Sequence, residues 1–323
     1  MNNNLQRYLG VIDESVQNFE LPKNPAHLYE PMKYILGLGG KKIRPILTLM
    51  ACELFQNNFS NAKNAALAVE LFHNFSLVHD DIMDQAPLRR GVETVHTKWN
   101  ENIAILSGDA LLIESYKLLC LYDADLSRKL LNLFNKTATE VCEGQQNDMD
   151  FETEQLVSID QYLDMIRKKT AVLLGCSLKM GAIVGGASDK DADDLYAFGV
   201  NLGVAFQLQD DILDVYSDQA KFGKQVGGDI IANKKTYLLL QAINDANAAQ
   251  RNELENLRIE KDAIQKVEKV MAIYKTLSIQ EKATTKMNEF YSVAMTNLNQ
   301  LSLDEEKKKS LKELAEFLMR REI

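Results

Sequence analysis

Proline is missing from most of this chain. All five prolines of the 323-residue sequence lie within the first 87 residues, so the remainder lacks the residue that most strongly breaks a helix. Strict alternation of apolar and polar residues, which is typical of strands, is also scarce. Apolar residues instead recur every three or four positions, as in a helix, over 66–84, 126–150, 158–184, 191–217, 234–246, 261–278 and 280–301. The sequence predicts one all-α domain over residues 1–323.

The chain also lacks features of exported, membrane and nucleic-acid-binding proteins. Residues 1–20 have no apolar signal-peptide core, and no run of about 18 apolar residues occurs. Cys52, Cys120, Cys142 and Cys176 form no CxxC pair and lie among apolar residues. We therefore expect reduced core cysteines in a cytoplasmic protein with no membrane span. The net charge of −9 disfavours a nucleic-acid partner.

Two acidic clusters share the spacing DDxxD, namely Asp80-Asp81-Ile82-Met83-Asp84 and Asp210-Asp211-Ile212-Leu213-Asp214. In a helix, the first and last carboxylates of each cluster project from nearly the same face. Two such helices set opposite each other would present carboxylate pairs across a cleft. Carboxylate oxygens suit Mg²⁺, which keeps waters and is completed by substrate phosphates. The clusters predict a site that grips a diphosphate through magnesium.

Basic residues accompany both clusters and suit phosphate oxygens. They are Lys41 and Arg44 before the first cluster, Arg89 and Arg90 after it, and Lys224, Lys234 and Lys235 after the second. Taken alone, Gly39-Gly40 followed by lysines is more typical of a surface loop, and the spacing is not that of a P-loop. Because these basic residues accompany both acidic clusters, diphosphate binding is the favoured interpretation. The charge run at 304–309 is typical of a solvated helix face and receives no function.

In this order, the motifs resemble those of the trans-isoprenyl diphosphate synthases. The resemblance rests on GGKKIRP, ELFHNFSLVHDDIMDQAPLRRGVETVH, AILSGDALL, GQQNDMD, MIRKKTAVLL and FQLQDDILDVYSD, with the FGKQVGGD and NKKT that follow. It runs from about Lys41 to Lys235, and the C-terminal part is similar too. It implies an all-α fold around a central cavity, a homodimer, and three Mg²⁺ ions, with Mn²⁺ as an alternative. The implied reaction is head-to-tail condensation of isopentenyl diphosphate with an allylic diphosphate.

The resemblance assigns the acidic residues to metal binding. The implied ligands are Asp80, Asp81 and Asp84 in the first cluster and Asp210 and Asp214 in the second. Asp80, Asp84 and Asp210 match leading positions and are expected to be catalytic. Asp81, Asp211 and Asp214 complete the motifs, either as ligands or as groups that hold waters and orient neighbours. The alternative interpretation is that adjacent carboxylates merely cap or solvate a helix end.

The resemblance divides the remaining site residues between two diphosphates. Those matched to isopentenyl diphosphate are Lys41, Arg44, His73 and Arg90. Those matched to the allylic diphosphate are Arg89, Lys169, Thr170, Gln207, Lys224 and Lys234. Arg89, Lys169 and Lys224 are expected to act in catalysis, because cations stabilise the charge of a departing diphosphate.

Three positions leave questions open. His79 and His96 stay ambiguous, since a lone histidine on an apolar helix is usually a core residue. Many relatives have Glu-Gly before the second-loop lysine, whereas this chain has Ala232-Asn233. The match at Lys234 is therefore weaker than the match at Lys224.

Aromatic residues before the first cluster bear on product length. Phe75 lies five residues before Asp80, about 7.5 Å along the helix, and Phe72 lies about 12 Å along it. In the family, an aromatic residue at this fifth position shortens the product, while the small Ser76 leaves room. Phe75, Ser76 and Phe72 are thus the expected chain-length floor. We expect geranylgeranyl diphosphate as the product, with farnesyl diphosphate as the alternative, although both rings also fit simple packing in a helix bundle.

Two other function classes share parts of the pattern. A terpene cyclase would share DDxxD and the all-α fold, but its second metal motif usually combines Asn or Asp with Ser or Thr and Glu. A non-catalytic subunit of a heteromeric prenyl synthase would be expected to have lost acids from one cluster. Both clusters are intact here, which favours the synthase.

Overall fold

The computed structural model describes residues 3–217 and 227–320, and its regular structure is almost entirely helical. The helices are α1 (Asn3–Gln17), α2 (Ala26–Gly37), α3 (Ile43–Phe55), α4 (Lys63–Met83), α5 (Val95–Lys98), α6 (Glu101–Leu119), α7 (Ala124–Thr153), α8 (Ile159–Ile166), α9 (Val172–Gly185), α10 (Asp189–Tyr216), α11 (Gly228–Ile231), α12 (Tyr237–Asp245), α13 (Ala248–Leu257), α14 (Ala263–Thr276), α15 (Ile279–Asn299) and α16 (Glu305–Met319). A 3₁₀ turn spans Phe59–Ala62 and a π-helix spans Arg167–Ala171. The only strands in these ranges are β1 (Leu88–Arg89) and β2 (Val92–Glu93), an antiparallel pair. The all-α prediction is confirmed.

Capping side chains explain where several helices begin. The Asn100 side chain accepts a hydrogen bond from the Ile103 N–H at the start of α6. At α8, Ser158 and Gln161 form a reciprocal capping box. Such side chains satisfy N–H groups that have no partner inside the helix. These helix starts therefore follow from the local sequence.

The chain forms two compact units, of which the first comprises Met1–Lys136, Cys176–Tyr196 and Ser302–Ser310. Within it, α4 buries Phe72, which is 1% exposed and packs edge-on against Phe134 with ring centroids 5.1 Å apart. The first acidic cluster lies at the C-terminal end of this helix. Packing of α4 in the core therefore fixes the position of that cluster.

The second unit comprises Thr137–Gly175, Ala197–Leu301 and Leu311–Ile323. Its apolar core draws on α8, α10, α12 and α14, and it includes the buried rings of Tyr162 and Tyr274. The second acidic cluster lies near the C-terminal end of α10, beside this core.

Two predicted helices need correction. The helix expected over 158–184 is interrupted by the π-helix, at the point where Gly144 of α7 and Gly203 of α10 approach its backbone. The helix expected from residue 234 begins at Tyr237, since Asn233 adopts a left-handed backbone with φ +55°. Between α4 and α6, residues 84–100 contain the β1–β2 hairpin and the short α5.

Burial differs from expectation at a few polar and sulfur-containing side chains. All four cysteines are free thiols, but only Cys52 and Cys176 are buried. The prediction of four core cysteines is wrong for Cys120, which follows the last residue of α6, and for Cys142, which lies on an exposed face of α7. In the charge run, Lys308 is only 3% exposed. Among the helices described, none is long and apolar enough to cross a membrane.

Candidate active site

The first acidic cluster closes α4. Asp80 is half-buried, Asp81 is 1% exposed, and Asp84 is exposed just after the last helical residue. The Asp84 N–H donates to the carbonyl of Asp80 at 2.8 Å, which completes the final turn. One face of the helix end thus carries Asp80 and Asp84, while Asp81 points into the protein.

Arg89 on β1 forms two hydrogen bonds to the carboxylate of Asp81. Its Nε donates to Oδ2 at 2.7 Å and its Nη2 donates to Oδ1 at 2.6 Å. A two-pronged bond of this kind fixes geometry as well as charge. Both oxygens of Asp81 are therefore bound by Arg89, and its role as a ligand or an orienting group stays a prediction.

The turn after β1 brings two basic motifs together. Arg90 and Gly91 occupy the two turn positions with φ +54° and +81°, as a two-residue hairpin turn requires. The Arg90 guanidinium lies against Gly40, where an added Cβ would be 2.7 Å from Nη1. The φ of Gly40 is +135°, a conformation that L side chains rarely adopt, so glycine suits this position. The glycine loop before α3 and the arginine turn after α4 are therefore neighbours.

Arg44 and His73 meet beside this turn. The Arg44 Nη1 donates to His73 Nε2 at 3.3 Å, and burial lowers the pKa of Arg44 to about 10, which leaves it cationic at neutral pH. Burial lowers the pKa of His73 well below its ordinary value, and Arg44 and Arg90 lower it further. His73 is thus a neutral acceptor, and the structure brings Arg44, His73 and Arg90 together.

The two lysines of the glycine loop differ in setting. Lys41 is exposed. Lys42 has a left-handed backbone at the start of α3, with φ +47°, and its Nζ lies 2.7 Å from Asp13 Oδ1. The Lys42 side chain is only 7% exposed. Lys41 is therefore presented to solvent, whereas Lys42 ties the loop to α1.

The expected chain-length floor contains one core residue and two half-buried ones. Phe72 packs against Phe134 and lies 5.5 Å from Phe75, measured between ring centroids. Phe75 and Ser76 are half-buried, and the Ser76 hydroxyl donates to the carbonyl of His73 at 2.9 Å. Phe72 thus packs in the core, and the floor role of Phe72, Phe75 and Ser76 stays a prediction.

His79 and His96, whose roles the sequence leaves open, have other neighbours. The ring of His79 packs on Phe75 at 4.7 Å and covers Gly108, where a Cβ would be 2.4 Å from Nε2. His79 therefore secures α4 against α6. His96 is half-buried on α5, and its Nδ1 has no hydrogen-bond partner among the described residues.

The second acidic cluster lies on α10. Asp211 is 4% exposed and accepts a hydrogen bond from the Tyr162 hydroxyl at 2.5 Å. Burial raises the pKa of Asp211 to about 7, and the Tyr162 bond opposes that change. Half-buried Asp214 accepts a bond from the Asp229 N–H at 2.9 Å. Asp210 is half-buried at the head of the cluster.

The π-helix presents the predicted allylic-site residues of the second unit. Lys169 Nζ lies 2.5 Å from Asp148 Oδ2 on α7. The Thr170 hydroxyl donates to Gln207 Oε1 at 3.5 Å, and the Gln207 amide donates to Asp211 at 3.5 Å. Lys169, Thr170 and Gln207 are therefore brought together beside the second acidic cluster.

Glycines explain the irregular backbone at this point. A Cβ at Gly144 on α7 would lie 2.3 Å from the backbone N of Lys169, and one at Gly203 on α10 would lie 2.7 Å from the Cα of Ala171. Two helices thus contact the segment through residues without side chains. π-Helical turns of this kind are frequent at functional sites.

The second-loop lysines have different partners. Lys234 is 68% exposed, with its Nζ 3.7 Å from Asp229 Oδ1. Lys235 instead donates to the carbonyls of Phe151 and Glu154 at the end of α7. Lys224 lies outside the described residues.

The Asn233 departure is explained by its backbone. Asn is one of the few non-glycine residues that tolerate the left-handed region, which Asn233 adopts with φ +55°. Its side chain accepts from Lys266 Nζ at 2.8 Å and donates to the carbonyl of Arg258 at 3.1 Å. The loop before Lys234 therefore keeps a glycine-like conformation without glycine.

Four acidic or phenolic residues around the site received no role from the sequence. They are Glu70, Asp148, Tyr162 and Asp229. Glu70 had a usable signal, since it lies one helical turn before His73 on the same face. Asp148 lies in the quoted GQQNDMD stretch, but its partner Lys169 is distant in sequence. No local pattern connects Tyr162 with Asp211.

The site residues fall into two groups with oxygen donors in each. The first unit carries Asp80 and Asp84 together with Arg44, His73 and Arg90, which we call the basic group. The second unit carries Asp210 and Asp214 with Lys169. Such donors fit a hard divalent cation that takes its other ligands from substrate and water. Within residues 3–217 and 227–320, no three His, Cys, Asp or Glu side chains gather as a metal site on their own.

Comparison with known proteins identifies the family. Residues 25–277 match the sequence profile described as polyprenyl synthetase. A geranylgeranyl diphosphate synthase of Methanosarcina mazei is 40% identical over 72% of each chain. A geranylgeranyl pyrophosphate synthase of Geoglobus acetivorans is 34% identical over 97% of this chain and 96% of its own. A crystal structure of a geranylgeranyl pyrophosphate synthase matches with a TM-score of 0.93 at 44% identity, covering 100% of both chains. The chain therefore belongs to the polyprenyl synthetase family and is an isoprenyl diphosphate synthase.

Proposed function

We propose that this enzyme condenses isopentenyl diphosphate head-to-tail with dimethylallyl, geranyl and farnesyl diphosphates, and that its product is geranylgeranyl diphosphate. The proposal is supported by two distinct groups of side chains whose charges suit diphosphates. One is the basic group of Arg44, His73 and Arg90, to which we add Lys41 of the neighbouring glycine loop. The other is the group of Lys169, Thr170 and Gln207 beside the second acidic cluster. Two such groups fit a reaction between two diphosphates.

In this proposal, Asp80, Asp84, Asp210 and Asp214 would hold Mg²⁺, with three ions expected. When bound, Mg²⁺ stabilises the negative charge that develops as the allylic C–O bond breaks. Lys169, Arg89 and Lys234 donate to the departing diphosphate, and Lys224 is proposed for the same task. Preorganised cations of this kind stabilise the leaving group without reorganisation during the reaction.

The remaining steps concern carbon. The double bond of isopentenyl diphosphate attacks the allylic cation, and a new C–C bond forms while the substrate is held by the basic group. Holding both reactants in place supplies much of the rate advantage. Loss of a proton then forms the new double bond. We propose the released diphosphate as its acceptor and assign no side chain as base.

Product length is proposed from Phe75 and from the relatives. The half-buried ring of Phe75, five residues before Asp80, would limit the chain, and small Ser76 would leave room beside it. The named relatives that make geranylgeranyl diphosphate support a twenty-carbon product. Farnesyl diphosphate is the second candidate, because an aromatic residue at this position shortens products.

Two further function classes are less well supported. A terpene cyclase acts on one diphosphate and has no use for a second basic group. A non-catalytic subunit has no need for two intact acidic clusters.

We also propose one catalytic domain over both units, because the family match at 25–277 includes residues of each. We propose that the protein is a cytoplasmic homodimer.

Product analysis tests this function. Purified protein is incubated with radiolabelled isopentenyl diphosphate, Mg²⁺ and, separately, dimethylallyl, geranyl and farnesyl diphosphates. We expect a twenty-carbon diphosphate from each allylic primer. A fifteen-carbon product alone would favour the farnesyl alternative. Absence of condensation with every primer would refute the proposal.

A further inference from the structure

A buried carboxylate lies behind the basic group. Glu70 on α4 is 5% exposed and lies one turn before His73. The Asn74 amide donates to Glu70 Oε1 at 3.3 Å and to the Glu70 carbonyl at 2.8 Å. Glu70 Oε2 is buried without a hydrogen-bond partner among the described residues. A buried carboxylate in this condition is costly unless nearby charges compensate.

Three cations supply that compensation. Burial raises the pKa of Glu70, whereas Lys42, Arg44 and Arg90 each act to lower it. Lys42 also bonds to Asp13. Arg44 and Arg90 belong to the basic group and come from different elements, α3 and the β1–β2 turn. Glu70 lies one turn before His73, to which Arg44 donates, so its carboxylate is a counter-charge close to the basic group.

Arg44 is also incompletely hydrogen-bonded. Arg44 Nε, like Glu70 Oε2, is buried with no hydrogen-bond partner in the described part of the chain. Nη1 of the same guanidinium is directed to His73. Arg44 is therefore held by a neutral acceptor and an electrostatic partner rather than by a fixed ion pair, which leaves donor capacity for a ligand.

We infer that Glu70 is a positioning residue that aligns Arg44 and Arg90 for the diphosphate of isopentenyl diphosphate. This inference rests on the proposed function. Donors that are oriented before the ligand arrives bind more tightly, because less ordering remains to be done. A positioning role and simple charge neutralisation predict opposite results. Neutralisation alone means that removing the carboxylate strengthens attraction for an anion.

Glu70→Gln separates the two roles. We expect the Kd for isopentenyl diphosphate, measured by calorimetry without Mg²⁺, to rise about tenfold, as for the loss of one charged hydrogen-bonding partner. The KM for isopentenyl diphosphate should rise similarly, while the KM for farnesyl diphosphate changes by less than about twofold. Binding that is unchanged or tighter would overturn the inference.

Two further variants guard against a folding artefact. Glu53→Gln removes another partly buried carboxylate of the same unit, which pairs with Arg7 away from the basic group. It should lower Tm without changing the Kd. Asn74→Leu keeps the Glu70 charge but removes its hydrogen bond, and it should weaken binding about threefold. An unchanged Kd in Asn74→Leu, or equal weakening in Glu53→Gln, would count against the inference. If the wild-type protein neither binds isopentenyl diphosphate nor condenses it, the proposed function fails instead.

Discussion

His73 illustrates how a residue of ordinary type acquires a special state. A histidine that faces two guanidinium groups stays neutral, because a third positive charge there would be repelled and poorly solvated. Its Nε2 then accepts from Arg44, and the tautomer carries its proton on Nδ1. The ring therefore orients a cation rather than adding one.

Acid should destabilise the protein partly through this residue. The pKa of His73 is lowered well below 6.5 in the folded protein. As pH falls through about 6.5, the unfolded chain takes up a proton that the folded chain does not, so stability decreases. The Tm of His73→Gln should fall less than that of wild type between about pH 7.5 and 5.5. Equal losses in both proteins would show that His73 does not titrate in this way.

Single carboxylates of each cluster should be indispensable for turnover. Asp80→Ala and Asp210→Ala each remove a proposed magnesium ligand, and we expect kcat to fall by about 10²–10³-fold or more. Asp125→Ala is a suitable control, since the Asp125 side chain is 88% exposed at the start of α7. Steady-state assays with Mg²⁺ measure the effect. Near-normal turnover in either site variant would exclude that residue as a ligand.

Phe75→Ala should lengthen the products. Removing the half-buried ring opens space below the first acidic cluster, so chains beyond twenty carbons should accumulate. Chromatography of the hydrolysed products measures their length. Phe134→Leu tests general loosening of the same aromatic cluster, because Phe134 is a fully buried partner of Phe72. That control should lower Tm and leave product length unchanged. The same lengthening in both variants would contradict a specific role for Phe75.

At the scale of elements, the π-helix depends on its neighbours. Its residues, RKKTA, contain no proline or glycine that would force an irregular turn. The irregularity coincides instead with the close approach of Gly144 and Gly203. The conformation of this segment is thus a tertiary effect, and it brings Lys169 to Asp148 and Thr170 to Gln207.

Gly144→Ala tests this dependence. The added methyl would lie 2.3 Å from the backbone N of Lys169, and we expect a loss of about 1–3 kcal/mol in the free energy of unfolding. The KM for farnesyl diphosphate should rise. Gly10→Ala in α1 meets nothing within 4 Å and should instead stabilise by about 0.5–1 kcal/mol. Calorimetric and kinetic measurements on both variants would reveal whether the contact matters.

The limits of sequence prediction are visible in these same elements. The helices and both acidic clusters could be predicted because helical periodicity and DDxxD spacing are local patterns. The π-helix could not, because its cause lies in glycines on two distant helices. Asp211 was placed in a motif, yet its partner Tyr162 lies 49 positions away. Burial of Glu70 likewise depends on the arrival of α3 and the β1–β2 turn.

At the scale of the whole molecule, α6 carries an exposed apolar surface that we propose as the homodimer interface. Leu106 and Ile113 are 60% and 59% exposed. They lie seven residues apart, on the same helical face. In the proposed homodimer this face is buried, which would remove apolar area from water.

Replacing both side chains should weaken the dimer. Leu106→Glu with Ile113→Glu places charges on the proposed interface, and light scattering after size exclusion should show a shift from dimer to monomer. Ile259→Glu with Ile264→Glu changes two other exposed apolar residues and should leave the mass unchanged. A wild-type monomer would refute the homodimer, and a variant that remains dimeric would exclude this face.

The left-handed backbones of Lys42 and Arg90 create a conflict between the enzyme's stability and its activity. Each long side chain occupies a conformation that costs about 1 kcal/mol outside glycine. Selection for heat resistance alone would favour glycine at Arg90, where the turn needs positive φ at both positions. That change would relieve the strain and remove a proposed substrate contact together. A library of variants screened only for thermal stability would therefore enrich inactive proteins. Directed evolution of a more heat-stable enzyme must select for turnover in the same step.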